Sequence, residues 1–174
     1  MTKMKHAKRI AAGCVSLMLM AAAYLPSQVQ AAGSYPLYRL YNPNTGEHFY
    51  TVFSNEKNSL IYNGWTYEGV GWNAPDEGWY VYRLYNPNTG DHHYTMDTDE
   101  RDYLARIGWR DEGTAFASPS LGWENTATAQ GKPVYRLYNP NAAVGAHYYT
   151  TSAREVNALH RLGWRYEGIG WYAL

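Results

Sequence analysis

The chain has 174 residues, fifteen Lys and Arg against fifteen Asp and Glu, one cysteine, and an apolar inventory dominated by 18 Tyr and 7 Trp with only 3 Phe. The balanced charge offers no basic face for a phosphate backbone, so nucleic acid is excluded as a partner. A lone cysteine excludes an intrachain disulfide and a multi-thiolate metal centre.

The first segment pairs Lys3, Lys5, Lys8 and Arg9 with an apolar run, Ile10 to Leu25, broken only by Gly13 and Ser16. Val29-Gln30-Ala31 then places small residues where a signal peptidase cuts, so residues 1–31 read as a secretory signal peptide. The run falls short of the about 20 residues of a membrane span, and no second one follows. The expected product is exported and not membrane-embedded. Ala11-Ala12-Gly13-Cys14 resembles a lipoprotein cleavage box, but at the wrong end of the apolar run, so lipidation is not expected. Cleavage removes Cys14 and four basic residues, and fifteen Lys and Arg become eleven against fifteen acids, a net charge of −4.

After the leader the chain writes one sentence three times. YRLYNPNTGEHFYT spans Tyr38–Thr51, YRLYNPNTGDHHYT spans Tyr82–Thr95, and YRLYNPNAAVGAHYYT spans Tyr135–Thr150 with two extra residues in its turn. The match continues through Glu56, Glu100 and Glu155, through Leu60, Leu104 and Leu159, and through the Gly-Trp pairs at 64–65, 108–109 and 163–164. It closes on Glu68-Gly69, Glu112-Gly113 and Glu167-Gly168, then Trp72, Phe116 and Trp171. Such a period marks a repeat architecture. The boundaries are about 35–73, 79–117 and 132–174, with joiners around 73–81 and 117–133, in one domain over 32–174.

Within a unit, Tyr38 to Tyr41 reads as a strand. Asn42-Pro43-Asn44-Thr45-Gly46 is turn chemistry, and Glu47 to Thr51 returns as the partner strand of a hairpin. Asp97-x-x-Glu100 and Ser152-x-x-Glu155 are capping boxes. In the first unit Phe53 occupies that position, and Ser54 is the candidate cap instead. The spacing predicts helices over 55–63, 99–107 and 154–162. Val156, Leu159 and Leu162 form an apolar stripe on the third, and each helix ends at a glycine suited to a left-handed residue. A last strand carries the closing aromatics. The fold expected is α+β: three tandem ββαβ repeats with pseudo-threefold symmetry, hairpins inside and helices outside. A β-trefoil-like fold is the alternative, although trefoil units carry no helix.

Four residue sets could carry chemistry. His48, His92 and His147 could meet and bind a metal such as zinc. Strand alternation favours structural histidines instead, because each shares a face with an invariant tyrosine while the intervening positions (Glu47, Asp91, Ala146; Phe49, His93, Tyr148) drift. Arg39 with Glu68, Arg83 with Glu112 and Arg136 with Glu167 read as one ion pair per unit, tying first strand to last. Asp97, Asp99, Glu100 and Asp102 lack the spacing and glycine of a calcium loop, and acids favour helix N-termini anyway. Trp65, Trp109 and Trp164 recur and read as core. Trp79, Tyr80 and Trp123 do not recur. They fall in the joiners, where exposed aromatics suit stacking on a sugar ring, with Asp76, Glu77, Glu124 and Asn125 as polar neighbours.

The hairpin words, the Gly-Trp after the helix and the closing YEGxGW resemble a family of uncharacterised secreted repeats. These occur in threes in Gram-positive bacterial surface and exported proteins, often appended to cell-wall or glycan hydrolases. The resemblance covers about residues 35–173 and brings no catalytic residues with it. It implies an accessory, glycan-facing role. The sequence holds no HExxH, GxSxG or phosphate loop and implies no cofactor. The expectation is a secreted, non-catalytic module binding a cell-wall or surface glycan. A small exported hydrolase of peptidoglycan or glycan, and a structural or protein-interaction module, are the alternatives.

Overall fold

The computed structural model describes residues 33–119 and 131–174. The leader, and with it the expected signal peptide, lies outside the described residues, as do Trp123, Glu124 and Asn125.

Every unit runs strand, strand, helix, strand. The first holds β1 (Ser34–Tyr41), β2 (His48–Thr51), α1 (Ser54–Tyr62) and β3 (Thr66–Pro75). The second holds β4 (Trp79–Tyr85), β5 (His92–Thr95), α2 (Thr98–Arg106) and β6 (Arg110–Ser118). The third holds β7 (Lys132–Tyr138), β8 (His147–Thr150), α3 (Ala153–Arg161) and β9 (Arg165–Ala173). Each unit forms its own three-stranded antiparallel sheet with the first strand in the centre, in the orders β2-β1-β3, β5-β4-β6 and β8-β7-β9. The architecture is therefore α+β with a threefold-like repeat. The sheets do not join into a closed barrel among the described residues, and every unit carries a helix, so a trefoil is not formed.

The helices begin and end one residue before their expected bounds. Asp97 caps α2 by accepting from the backbone N–H groups of Asp99 and Glu100, and Ser152 caps α3 by accepting from Glu155. In α1 the cap position is Phe53, which has no acceptor, and Ser54 is already helical, so the cap expected from Ser54 does not exist. Gly64, Gly108 and Gly163 end the helices at φ of +88°, +103° and +93°, where a side chain would be strained. Leu162 belongs past α3 rather than in its stripe and is 75% exposed. None of the helical residues is fully buried, and no described helix is long and apolar enough to cross a membrane.

The core is aromatic and lies where the units meet. Tyr50, Tyr94 and Tyr149 form a triangle with ring centroids 5.5, 5.6 and 5.8 Å apart, each pair edge to face. A second triangle, Trp72, Phe116 and Trp171, has separations of 6.2, 6.1 and 5.6 Å. Each tyrosine stacks on its own unit's member of that layer, at 5.6, 6.1 and 4.8 Å. Leu37, Val81 and Val134, with Ala74, Ala115 and Ala173, complete the buried cluster. Trp65, Trp109 and Trp164 are not in it, contrary to expectation. They are half-buried, packed at about the same distance from Phe49, His93 and Tyr148 (5.9, 6.2 and 6.2 Å), and cover the outer face of each hairpin. Because the chain turns into its last strand directly after the helix-ending glycine, the tryptophan that follows sits at the sheet's rim.

Candidate functional site

The three arginines span both sides of each interface. Arg39 Nε lies 2.9 Å from Glu68, Arg83 Nε 2.8 Å from Glu112 and Arg136 Nε 3.0 Å from Glu167, joining first strand to last within each unit. For Arg39 the N–H points off the line to Glu68, so that contact is ionic rather than an aligned hydrogen bond. The same guanidinium groups also reach a helix of another unit. Arg39 meets Glu155 at 3.4 Å, Arg83 meets Glu56 at 3.1 Å and Arg136 meets Glu100 at 2.8 Å. This second half was invisible as a pair in sequence, although Glu56, Glu100 and Glu155 recur as strictly as the arginines do.

Three of these carboxylates, Glu100, Glu112 and Glu155, are poor general acids. Burial alone would raise Glu100, but its contacts with His93, Thr95 and Arg136 hold it well below the usual carboxylate range. Glu112 and Glu155 are lowered too, burial being outweighed at the first by Arg110 and Arg83 and at the second by Thr150, Tyr148 and Arg39. All three stay ionised at neutral pH. They balance arginines and hold no proton to give.

Each histidine turns its Nε2 toward its own unit's glutamate. His48, His92 and His147 place Nε2 at 3.5, 3.7 and 3.4 Å from Glu68, Glu112 and Glu167. Each also packs edge-on against a residue of another unit: His48 on Tyr148, His92 on Phe49 and His147 on His93. Burial, aided by Arg39, pushes His48 down to about 4, and burial with His93 and Arg136 pushes His147 down to about 3, so both are neutral at pH 7. Among the described residues no group of three His, Cys, Asp or Glu converges as a metal site. In the acidic group, Asp97 caps its helix, Glu100 holds Arg136 and Asp102 pairs with Arg101 at 2.7 Å.

The drifting positions are not surface positions. Phe49, His93 and Tyr148 are buried, and so are Glu47 (2% exposed) and Asp91 (6%). They drift because each faces a different neighbouring unit, so packing constrains them in pairs rather than to one identity. Glu47 Oε1 accepts from the backbone N–H of His92 at 3.0 Å and lies 2.6 Å from its Nδ1. Asp91 accepts from Gly145 and Ala146 at 3.1 and 3.4 Å. The signal that could have revealed them is the acid directly before histidine in two turns and its loss, together with a two-residue insertion, in the third.

Of the non-recurring aromatics, Trp79 and Tyr80 sit on a strand and not on a loop. Trp79 and Tyr80 open β4 and pair with Ser118 and Ala117, just as Tyr35 and Pro36 pair with Ala74 and Asn73, so the joiner shrinks to Asp76-Glu77-Gly78. Trp79 therefore occupies the place of Tyr35. Successive strand residues face opposite ways, and the two rings serve different grooves. Tyr80 lines a groove of about 400 Å³ between the first and second units with Tyr35, Phe53 and Asp76. Trp79 lines one of about 360 Å³ between the second and third with Met96, Trp171 and Tyr172. Trp79 is 55% and Tyr80 60% exposed. Asp76 also accepts from the backbone N–H of Gly33 at 3.1 Å, and Glu77 is exposed and lines neither groove.

No curated protein and no solved structure matches the chain. A family model described as a domain of unknown function, DUF5648, matches residues 36–174, the whole of the three repeats apart from the start of β1. The chain belongs to the DUF5648 family.

Proposed function

We propose that the protein is a secreted, non-catalytic module that binds a cell-wall or surface glycan in the two inter-unit grooves. The observation that carries this reading is the pair Trp79 and Tyr80. They are adjacent on one strand and more than half exposed, and each forms part of a separate cleft in which apolar rings lie beside polar groups. Tyr35 and Phe53 leave further ring surface open in the first groove. An apolar ring beside a carboxylate such as Asp76 suits a pyranose, whose C–H face stacks while its hydroxyls donate. The resemblance to repeats that accompany glycan hydrolases supports the same partner. The arginine-bound carboxylates suit this reading better than hydrolysis. We further read the units as related by a pseudo-threefold axis through the tyrosine triangle.

The test is retention of the protein, without its leader, on insoluble cell wall, scored together with release of soluble sugar. Retention without release is expected. Release of sugar by the purified protein would move the hydrolase reading ahead, and absence of retention on every wall preparation would overturn glycan binding.

A further inference from the structure

Equivalent parts build the three interfaces, and one interface lacks a part. Between the first and second units, Glu47 supplies a carboxylate to the backbone N–H and Nδ1 of His92. Between the second and third, Asp91 supplies one to Gly145 and Ala146. Between the third and first, the equivalent residue is Ala146, whose side chain accepts nothing. The ring that a carboxylate there would meet, by equivalence with His92, is His48. Its Nδ1 is buried and has no hydrogen-bond partner among the described residues. A buried polar atom left unpaired costs about 1–3 kcal/mol, so a partner brought from outside is favoured.

The same interface holds space. A cleft of about 580 Å³ is lined by Tyr41, Asn44, His48, Val144 and Trp164 among others, and a smaller one of about 250 Å³ shares His48 and Trp164 and reaches Tyr148. Ligand sites commonly measure about 300–1,000 Å³. We propose that this cleft binds a small carboxylate-bearing ligand, whose carboxylate takes the place against His48 that Glu47 holds against His92.

The charge surroundings permit it. His48 faces Glu68 through Nε2 and His92 faces Glu112 in the same way, and each glutamate is paired with an arginine of its own unit. His92 accommodates a second carboxylate in that setting. The neutral His48 ring would donate its Nδ1–H, which leaves Nε2 unprotonated beside Glu68, a carboxylate already held by Arg39, and Trp164 offers an apolar wall for the ligand's body. Since Nδ1 is covered, the lining of the cleft has to yield on binding, and the turn over 139–146 supplies much of that lining. That turn is the one with two extra residues. The chemistry fits a uronic acid and the carboxyl end of a short peptide alike.

The experiment is an NMR titration of the His48 ring with glucuronate, N-acetylalanine and acetate, with glucose as the neutral control at matched ionic strength. Saturable shifts at His48 and in 139–146 are expected with the carboxylates and none with glucose. The tighter of glucuronate and N-acetylalanine identifies the source. Ala146→Glu, which supplies the acid internally, is expected to abolish the response. Glu47→Ala removes the acid at His92 and is expected to raise the glucuronate stoichiometry from one to two. Absence of a saturable response in the unaltered protein, an equal response to glucose, or an undiminished response in folded Ala146→Glu would overturn the proposal. Trp79 and Tyr80 lie outside this cleft, so its failure leaves the glycan reading intact, and the converse holds too.

Discussion

The hydroxyl of Tyr94 sits on the backbone of Tyr50. It accepts from the Tyr50 N–H at 3.0 Å and donates to the Tyr50 carbonyl at 2.9 Å. Tyr149 does the same to Tyr94 at 3.2 and 2.8 Å, and Tyr50 does it to Tyr149 at 3.0 and 3.0 Å, which closes a ring of three. One residue type at one position thus joins every unit to the next, and this is what the threefold repetition of the hairpin words builds.

Tyr50→Phe, Tyr94→Phe and Tyr149→Phe are each expected to lose about 2–3 kcal/mol of stability, since each removes both partners of a buried backbone pair. The three losses should agree to within about 1 kcal/mol. Equilibrium urea unfolding measures them. A near-neutral effect at any one of the three would show that the ring is not the shared fastening.

Stability is expected to fall as the pH drops from about 6.5 toward 4. His48 and His147 are held below the unfolded histidine value, so the unfolded chain takes up protons first. Their contribution is complete above pH 6.5 and is lost as pH falls through the folded values, about 3 kcal/mol for His48. The lowered Glu100, Glu112 and Glu155 add a further decline below about pH 4.5. Melting temperature against pH, compared with His48→Gln, checks this. The variant should show a shallower slope between pH 6.5 and 4, and an unchanged slope would exclude His48 as a contributor.

The tryptophans should separate by layer. Trp171→Ala opens a cavity in the second aromatic triangle and is expected to cost about 3–5 kcal/mol. Trp109→Ala trims a half-buried rim contact with His93 and is expected to cost about half of that. Equal losses in thermal or urea unfolding would mean that the hairpin's outer face is as well sealed as the core.

Trp79→Ala and Tyr80→Ala are expected to leave stability within about 0.5 kcal/mol of the unaltered chain, as exposed positions do. Each should weaken retention on cell-wall glycan about tenfold, the loss of roughly 1.4 kcal/mol of stacking. Because the two rings line different grooves, the double variant should lose more than either single one. A double variant no worse than Tyr80→Ala would assign binding to the first groove alone.

Unit order, helix positions and the Arg–Glu partners within a unit were legible because they are local or recur in register. A recurring residue advertises a shared need, and strand period and capping chemistry do the rest. What the units do to each other was hidden. Arg83 meeting Glu56, or Glu47 meeting His92, depends on which unit lies beside which, and spacing along the chain carries no trace of that. The same blindness misplaced Trp65, Trp109 and Trp164, since invariance marks a packed contact without saying whether it lies at the centre or the rim. Trp79 looked unrepeated because its counterparts, Tyr35 and Lys132, differ in identity while sharing a strand position.

Closing the tyrosine ring has a kinetic consequence. Two of its joints span 44 and 55 residues, but the third brings Tyr50 to Tyr149 across 99. Until that long loop shuts, any two docked units expose half of an aromatic interface at each open side. Loop-closure entropy must be met before the last joint returns anything, and contacts so distant in sequence slow folding. A chain stopped after its second unit therefore has no resting place of its own. It is a sticky, incomplete ring, and folding is expected to gain its cooperativity in one late step, when the third hairpin arrives.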